Sequence, residues 1–227
     1  ITLARGGSKG IIKKNIADCA GKPLIAYTIK EAMRSKHIER YIVSTDCKEI
    51  KNVSESFGAD TPFLRPAHLS TDKSTSVDAL IHACEFCEKQ QQLKYDFVVE
   101  LMCTNPFKLA QDIDNCIELL YKSKADSVIG VSRVIEHHPA RLKQLINGYI
   151  TDFCVPELSS RRQDLRPEAY IRNGSIYAIR RDLLINSGYR YGGINSIGYI
   201  MKEPANINID CQNDLLLASL LLAHINQ

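Results

Sequence analysis

Apolar residues recur along the chain at two different spacings. Those of residues 24–33 recur every three to four positions, as on one face of a helix, and the β-branched run Tyr41–Thr45 follows as a short strand. The change of spacing repeats downstream, predicting helices near 50–57, 77–84, 113–120 and 214–225 and strands near 97–103, 127–132 and 176–179. Strands that alternate with helices predict an α/β fold with a mostly parallel sheet covered on both faces.

Turn and cap residues divide this pattern. Gly58 is placed to end the second helix, and the cluster Ser74–Ser76 is placed to cap the third. The alternation stops over residues 135–172, where three prolines and a polar stretch interrupt it. We therefore expect a single domain over residues 1–227, with residues 135–172 inserted as an excursion from its core.

Composition excludes several classes of protein. The 227 residues are 44% hydrophobic and 24% charged, as in an ordinary globular domain. No run of 18 apolar residues exists, so no membrane span is predicted. The net charge of +3 is too small for a protein that binds the nucleic-acid backbone. The candidate ligands are therefore small molecules, and no nucleic-acid or membrane partner is expected.

The eight cysteines could suggest disulfides, but most lie inside apolar runs, as Cys84, Cys103 and Cys116 do. This placement favours free thiols of a cytoplasmic protein. Cys84 and Cys87 have a zinc-like spacing, but no second pair lies nearby, so packing is the favoured interpretation. The sequence begins with what resembles the end of a strand, Ile1–Ala4, without a secretory signal, so native residues are expected to precede it.

The strongest chemical signal is the glycine-rich segment Arg5–Gly10, which directly follows this strand end. Glycines allow backbone N–H groups to approach an anion, Ser8 adds a hydroxyl donor, and Arg5 and Lys9 add positive charge. The segment matches neither the P-loop nor the dinucleotide-binding pattern. A phosphate-binding loop is the favoured interpretation, and a solvated basic turn is the alternative.

Several segments together resemble one family, the CMP-sialic acid synthetases (N-acylneuraminate cytidylyltransferases). The resemblance begins at Ala4–Asn15 and continues in the family's order through the whole chain, at Tyr41–Asp46, Ser70–Ala79, Thr104–Pro106, Arg161–Asp164, Tyr170, Asn173–Tyr177 and Asn208–Asp210. It implies a three-layer, Rossmann-like nucleotide-diphospho-sugar transferase fold. It also implies a reaction in which CTP and a nonulosonic (sialic-type) acid give the CMP-sugar and pyrophosphate.

The resemblance also implies roles for individual residues. Those expected to bind the nucleotide are Arg5, Ser8, Lys9, Asn15, Arg65, Ser74 and Ser76. Those expected to be catalytic are Arg161, Arg162 and Asp210, and those expected near the sugar acid are Met102, Gln163, Tyr170 and Asn173. Taken alone, Ser74 is more typical of a helix N-cap, and a pair of arginines in a polar loop is more typical of a solvated surface.

Phosphoryl transfer between two anions depends on positioning and charge neutralisation, so Mg²⁺ with oxygen ligands is the expected cofactor. The candidate ligands are Asp210, Asn208 and Asp214, between a predicted strand at 207–209 and the last helix. Helix capping is an equal alternative for Asp214. The inserted segment 135–172 resembles the family's dimerisation lobe, which implies a homodimer or a dimer of dimers.

Two residues depart from the family's pattern. Asn208 stands where an aspartate is frequent, and Met102 stands where a glutamine is usual. Because Met102 cannot hydrogen-bond as an amide does, the acceptor could instead be legionaminic acid or a related acid such as pseudaminic acid, with Kdo the weakest alternative. A nucleotide-binding regulatory module that has lost turnover is the alternative from a different class.

Overall fold

The computed structural model describes residues 1–8, 10–159 and 161–225. Its strands are β1 (Thr2–Leu3), β2 (Asp18–Cys19), β3 (Lys22–Pro23), β4 (Val43–Ser44), β5 (Phe97–Leu101), β6 (Ser127–Val134), β7 (Lys143–Ile146), β8 (Tyr149–Asp152), β9 (Ala169–Arg180) and β10 (Ser196–Ile200). Its helices are α1 (Leu24–Arg34), α2 (Lys48–Ser56), α3 (Ser76–Gln91), α4 (Ala110–Ser123), α5 (Arg181–Ser187) and α6 (Gln212–Ile225). The predicted alternation of strands and helices is confirmed, and the last helix begins two residues earlier than predicted.

The central sheet has the order β4-β1-β5-β9-β6-β10. β1 pairs in parallel with β4, and β10 pairs in parallel with β6. Ile1 joins β1 to β5, since its oxygen accepts a hydrogen bond of 2.9 Å from Leu101 N. β9 runs antiparallel to both β5 and β6, so the sheet is mixed, with one reversed strand among parallel ones.

Helices cover both faces of this sheet, which confirms the three-layer α/β prediction. On one face α1, α4 and α6 contribute Ile29, Ile113 and Ala218 to the larger core, and all three side chains are fully buried. On the other face α3 and α5 contribute Leu80 and Leu184 to a second core. Burial of these apolar stripes against the sheet is the main force that holds the layers together.

Five of the eight cysteines are buried, and all eight lie in the described residues as free thiols. Burial raises the pKa of the Cys103 thiol to about 11 and that of Cys84 to about 12. These side chains are therefore protonated packing residues at neutral pH, as their apolar sequence context predicts.

The chain leaves the sheet between β6 and β9. Residues 169–172 belong to β9, so we define the inserted segment as residues 135–168. It contains the β7–β8 hairpin, which forms a separate two-stranded sheet. Large apolar side chains of this segment are exposed: Leu145, Tyr149, Ile150, Phe153 and Leu158.

The parallel strands β1, β4 and β5 end at one edge of the sheet, and the first half of β9 lies at the same edge. Ligands of open α/β sheets bind at such carboxyl edges. Most of the residues singled out from the sequence fall here.

Candidate active site

The glycine-rich loop begins directly after β1 and is held in place on both sides. The backbone N of Gly6 donates to Asp46 Oδ1 over 2.9 Å. The Asn15 side chain donates from Nδ2 to the oxygen of Arg5 over 2.9 Å and accepts from Cys103 Sγ. The loop is thus tied to the ends of β4 and β5. Lys9, the loop's second predicted cation, lies outside the described residues.

Gly10 has a steric role in this loop. A Cβ at this position would lie 2.4 Å from the backbone oxygen of Asp210, closer than real Cβ contacts allow. The loop therefore packs directly on the segment that carries Asp210, and this close approach requires glycine.

Two cations, Arg5 in the loop and Lys14 just after it, are paired with acidic side chains. Arg5 lies 3.0 Å from Asp72. Lys14 lies 3.1 Å from Asp210 and donates to the oxygen of Ile209 over 2.8 Å. A polyanion that enters the loop would compete with these carboxylates for the same cations.

Arg65 is a buried cation beside this loop. Its side chain is 4% exposed, lies 4.0 Å from Asp46, and donates from Nε to Ser70 Oγ over 3.1 Å. Burial lowers its pKa, and the nearby Arg5 lowers it further, although Asp46 acts in the opposite direction. This side chain can supply fixed positive charge and free N–H donors to a ligand bound next to the loop.

The prediction that the cluster Ser74–Ser76 caps α3 is confirmed, but the capping residue is Thr75 and not Ser74. Thr75 is the N-cap of α3, with its hydroxyl accepting from Asp78 N over 3.1 Å, because Thr75 has the extended backbone that an N-cap needs. Ser74 lies in the preceding turn, where its hydroxyl accepts from Thr71 N and donates to the oxygen of His68. Ser76 is the first residue of α3. Ser74 therefore shapes the turn that carries Asp72, the partner of Arg5.

A second group of residues surrounds the end of β5. Met102 donates from its backbone N to Ser175 on β9 over 3.0 Å, and the oxygen of Thr104 accepts from Ile209 N over 2.8 Å. On the turn after β5 and the segments packed around it, four buried side-chain atoms have no hydrogen-bond partner among the described residues: Thr104 Oγ1, Asn173 Oδ1, Ser175 Oγ and Asn208 Oδ1. Buried polar atoms without partners are rare, so this group indicates a place for a polar ligand or water.

The segment before α6 carries the candidate metal ligands. Residues 207–209 do not form the predicted strand; the hydrogen bond from Ile209 N to the oxygen of Thr104 holds them to the turn after β5. Asn208 nevertheless donates to Asp210 Oδ2 over 2.7 Å, so the two side chains are adjacent. Asp214 accepts from the backbone N of Asp210 and of Cys211, and these bonds lower its pKa. Asp214 Oδ2 therefore caps the start of α6, and the metal-ligand roles of Asp214, Asp210 and Asn208 stay predictions.

Four other predicted residues lie apart from this site. Arg162 forms an ion pair with Glu136, and Arg161 donates from its backbone N to Ser159, both within the inserted segment. The backbone oxygen of Gln163, the next residue, accepts a hydrogen bond from the side chain of Arg166. Tyr170, at the start of β9, donates to Glu168. The structure records no hydrogen bond or ion pair from these residues to the glycine-rich loop as far as that loop is described.

Lys108 lies directly under the candidate site, although no sequence motif singled it out. Its side chain is fully buried, and its ammonium group donates to Thr28 Oγ1, to the oxygen of Met102 and to the oxygen of Asn105. Burial lowers the pKa of Lys108 to about 7. Its hydrogen bonds to two backbone oxygens stabilise the turn after β5. In the sequence, the only indication that Lys108 is buried is its position between the apolar residues Phe107 and Leu109.

Glu100 and Arg190 were also missed, because they are 90 residues apart in the chain. Glu100 is buried on β5 and accepts two hydrogen bonds from Arg190, of 2.5 and 2.8 Å. Arg190 also lies 3.5 Å from Met102 Sδ. No local pattern could predict this pairing.

Among residues 1–8, 10–159 and 161–225, no three His, Cys, Asp or Glu side chains are grouped closely enough to hold a metal ion. In the same part of the chain, no helix has the length and apolar character needed to cross a membrane.

A glycine-rich loop after the first strand of a three-layer α/β sheet, with cations and amides around it, is consistent with a nucleotide-diphospho-sugar transferase fold. A solved structure agrees: CMP:2-keto-3-deoxy-manno-octonic acid synthetase in complex with CTP superposes with a TM-score of 0.71, covering 99% of this chain and 97% of that one at 17% identity. This similarity supports the fold.

The family follows from the sequence comparisons. The cytidylyltransferase family model matches residues 1–199. CMP-N,N'-diacetyllegionaminic acid synthase of Legionella pneumophila is 33% identical over 99% of this chain and 95% of its own. N-acylneuraminate cytidylyltransferase of Escherichia coli is 31% identical over 96% of this chain and 50% of its own. The chain belongs to the cytidylyltransferase family and is an enzyme of the nucleotidyltransferase type.

Proposed function

We propose that this enzyme transfers CMP from CTP to the anomeric 2-hydroxyl of a nonulosonic acid and releases pyrophosphate. The observation that carries the proposal is the glycine-rich loop packed on the Asp210 segment, with the unpartnered polar atoms of β5 and β9 beside it. This arrangement offers an anion site and a polar acceptor site at one edge of the sheet. N-acylneuraminate and N,N'-diacetyllegionaminic acid, which appear in the names of the relatives, are the first candidates for the acceptor.

The nucleotide would bind along the loop. Arg5, Ser8 and Lys9 are proposed to bind the triphosphate, and Asn15 to lie near the ribose. Arg65 is placed next to the loop and can bind the rest of the nucleotide, with Ser74 and Ser76 around it. Phosphate oxygens would replace Asp72 as the partner of Arg5, since charge-assisted bonds to phosphate are strong and bidentate.

The acceptor would bind between the end of β5 and β9. Met102, Asn173 and the unpartnered hydroxyls of Thr104 and Ser175 surround this place. The hydroxyl groups of a sugar acid would provide the hydrogen-bond partners that these side-chain atoms lack. Attack of the 2-hydroxyl on the α-phosphorus requires alignment in line with the departing pyrophosphate, so the main task of these residues is to orient the acid.

Mg²⁺ is proposed as the cofactor, and the residues fit it. Asn208 Oδ1 is a buried oxygen without a partner in the described chain, and the neighbouring Asp210 carboxylate is 73% exposed. Both are hard oxygen donors, and the triphosphate would supply further ligands. When bound, the metal would neutralise phosphate charge. Asp210 is also close enough to Lys14 to share that cation with the nucleotide.

Arg161, Arg162, Gln163 and Tyr170 are proposed to act in an assembled homodimer. The exposed apolar residues of the β7–β8 hairpin are unusual for a monomer surface, and they support an association surface on the inserted segment. The two arginines lie in the same segment, so association of two copies could bring them to a partner's phosphates. The eight free thiols support a reducing compartment such as the cytoplasm.

The proposal is tested by measuring pyrophosphate release from CTP with a panel of nonulosonic acids and Mg²⁺. We expect release only when a suitable acid is present, with one CMP-sugar formed per pyrophosphate. ATP, GTP and UTP in place of CTP are the controls. If CTP binds in calorimetry but no acid supports release, the enzyme assignment fails for this chain and the regulatory nucleotide-binding module is favoured.

A further inference from the structure

Glu100 and Arg190 form a fork at the edge of the sheet that carries the site. The Glu100 side chain is 4% exposed, and both of its oxygens accept from the guanidinium of Arg190. A guanidinium has five N–H groups, of which this pairing uses two. Arg190 Nη2 also donates to Met102 Sδ over 3.5 Å, so the two N–H groups of Nη1 are left without a hydrogen-bond partner among the described residues.

The register of the sheet places this fork beside the acceptor site. Glu100 pairs with Tyr177 across β5 and β9, and Met102 follows two residues later, bonded to Ser175. Because side chains two apart in a strand share a face, Glu100 and Met102 point to the same side of the sheet. Arg190 Nη2 lies 3.5 Å from Met102 Sδ, at the end of that face.

Aromatic rings fix the guanidinium further. It lies 5.1 Å from the centre of the Tyr177 ring, which stacks on Tyr191 at 5.2 Å. Arg172 covers Tyr191 at 4.3 Å. Two cations and two aromatic rings are thus stacked on one another. Of these, Arg172 and Tyr177 lie close in the chain to Ser175, whose Oγ has no partner among the described residues.

Met102 brings no hydrogen-bond donor to this corner, since a thioether is only a weak acceptor. Of the two side chains at the end of this face, Arg190 and Met102, only Arg190 can therefore donate hydrogen bonds to a ligand. A second fork, between Arg181 and Glu88, has similar geometry, with bonds of 2.9 and 2.8 Å. It lies at the far end of β9, away from the unpartnered atoms, so a fork alone does not indicate a binding site.

We propose that Arg190 is a specificity-determining residue of the acceptor subsite. The guanidinium of Arg190 contacts the sugar acid directly, a role that rests on the proposed function. Glu100 holds the group in place, and its remaining N–H donors bind an oxygen of the acid's substituent, either an acylamino carbonyl or a hydroxyl. An acid in which hydrogen replaces that oxygen is a poor substrate.

The test compares Arg190→Gln with Arg181→Gln, which removes the matched fork at the far end of β9. We expect Arg190→Gln to raise the KM of the sugar acid about ten- to a hundred-fold, the range for loss of one charge-assisted hydrogen bond. The KM of CTP should stay within about twofold of wild type, by the same argument that only the acid is contacted. Arg181→Gln should leave both values unchanged.

Arg190→Gln leaves a buried carboxylate unpaired and could unfold the protein, so Arg190→Lys and the double variant Glu100→Gln/Arg190→Gln are also measured. The double variant removes the buried charge together with its partner and should show the same rise in acid KM. Lysine keeps the charge without the fork and should give an intermediate KM. The inference is overturned if the acid KM of the folded variants equals that of wild type, or if the KM of CTP rises as much.

Saturation-transfer NMR, which detects binding of the acids without turnover, separates the failure of this inference from the failure of the proposed function. Wild type that binds an acid but releases no pyrophosphate contradicts the proposed function alone, and the variants' weaker acid binding then tests Arg190. Wild type that binds no acid at millimolar concentration overturns both.

Discussion

The ammonium group of Lys108 meets three oxygens in the interior, one from α1 and two from the turn after β5. Lys108→Met would keep much of the side chain's volume but leave these oxygens without their donor. We expect a loss of about 2–4 kcal/mol in the free energy of unfolding, since each unsatisfied buried acceptor costs about 1–3 kcal/mol and the turn can relax in part. Urea denaturation measures it.

Lys122→Met is the control, because Lys122 makes an exposed pair with Glu118 on α4. Exposed pairs contribute about 0.2–1 kcal/mol, so this variant should stay near wild type. Equal stability of the two variants would show that Lys108 does not hold the turn.

The same lysine predicts a dependence on pH. Burial lowers its pKa from 10.5 to about 7, so between these values the unfolded chain binds more protons at this site than the folded one. The contribution of Lys108 to stability therefore rises as pH rises from 7 towards 10.5 and is lost as pH falls to 7. The stability difference between wild type and Lys108→Met should grow by about 1 kcal/mol per pH unit. A difference independent of pH would contradict this.

The identity of residue 208 should set how much Mg²⁺ the enzyme needs for half-maximal rate. Asn208 offers a neutral oxygen beside Asp210, a weaker ligand for a hard cation than a carboxylate. Asn208→Asp should therefore lower the Mg²⁺ concentration needed for half-maximal rate, and Asp210→Ala should nearly abolish turnover while CTP binding is largely kept. Initial rates in a Mg²⁺ titration measure the first effect, and calorimetry with CTP the second. Normal turnover of Asp210→Ala would place the metal elsewhere.

At the scale of elements, the close packing of the glycine-rich loop on the Asp210 segment gives a steric prediction. In Gly10→Ala the new Cβ would meet the oxygen of Asp210 at 2.4 Å, so the loop must move. We expect CTP affinity to fall about tenfold or more, as for a lost charge-assisted contact, in calorimetric titration.

Gly7→Ala controls for the change of residue type in the same loop, because its Cβ would meet no atom within 4 Å in the part of the chain that the structure describes. Its melting temperature should equal that of wild type, whereas Gly10→Ala should melt lower. Wild-type melting and CTP affinity in Gly10→Ala would show that the loop adjusts without loss.

The elements themselves could be predicted from spacing, but their directions could not. The apolar run Ile176–Ile179 predicts a strand, yet nothing local shows that β9 runs antiparallel between β5 and β6. Local pattern also failed at Ser74, because three adjacent hydroxyl residues are equivalent in sequence and only backbone conformation selects Thr75 as the cap.

Some residues of the candidate site could likewise be predicted from the sequence, and others could not. Residues of one contiguous motif, such as Arg5 and Asn15, are recognisable in the sequence and are brought together. The fork of Glu100 and Arg190 and the buried Lys108 depend on contacts between distant segments. Asn208 and Asp210 are adjacent although the predicted strand at 207–209 does not form, because hydrogen bonds to neighbouring segments hold them there.

At the scale of the whole molecule, the exposed hairpin of the inserted segment predicts a homodimer. Leu145 on β7 is 73% exposed and pairs with Ile150 on β8, so Leu145→Glu should weaken association without unfolding the domain. Sedimentation at micromolar concentration should show a dimer for wild type and mostly monomer for the variant. Ile194→Glu, at a fully exposed apolar residue outside the inserted segment, is the control and should remain a dimer.

Complementation tests whether the partner completes the site. Arg161→Ala and Arg5→Ala subunits should each be nearly inactive, and mixing them should restore part of the activity if Arg161 acts across the interface. A wild-type monomer, or a mixture without recovery, would contradict a shared site.

The inserted segment leaves and rejoins the sheet at adjacent points, because Val134 and Ala169 are paired in the β6–β9 ladder. Its two ends are therefore held together by the sheet whatever lies between them. Closing a flexible loop becomes only about 0.6 kcal/mol harder when its length doubles. Residues 135–168 can thus be lengthened, shortened or exchanged, by evolution or by grafting, while the strands that carry the site keep their register.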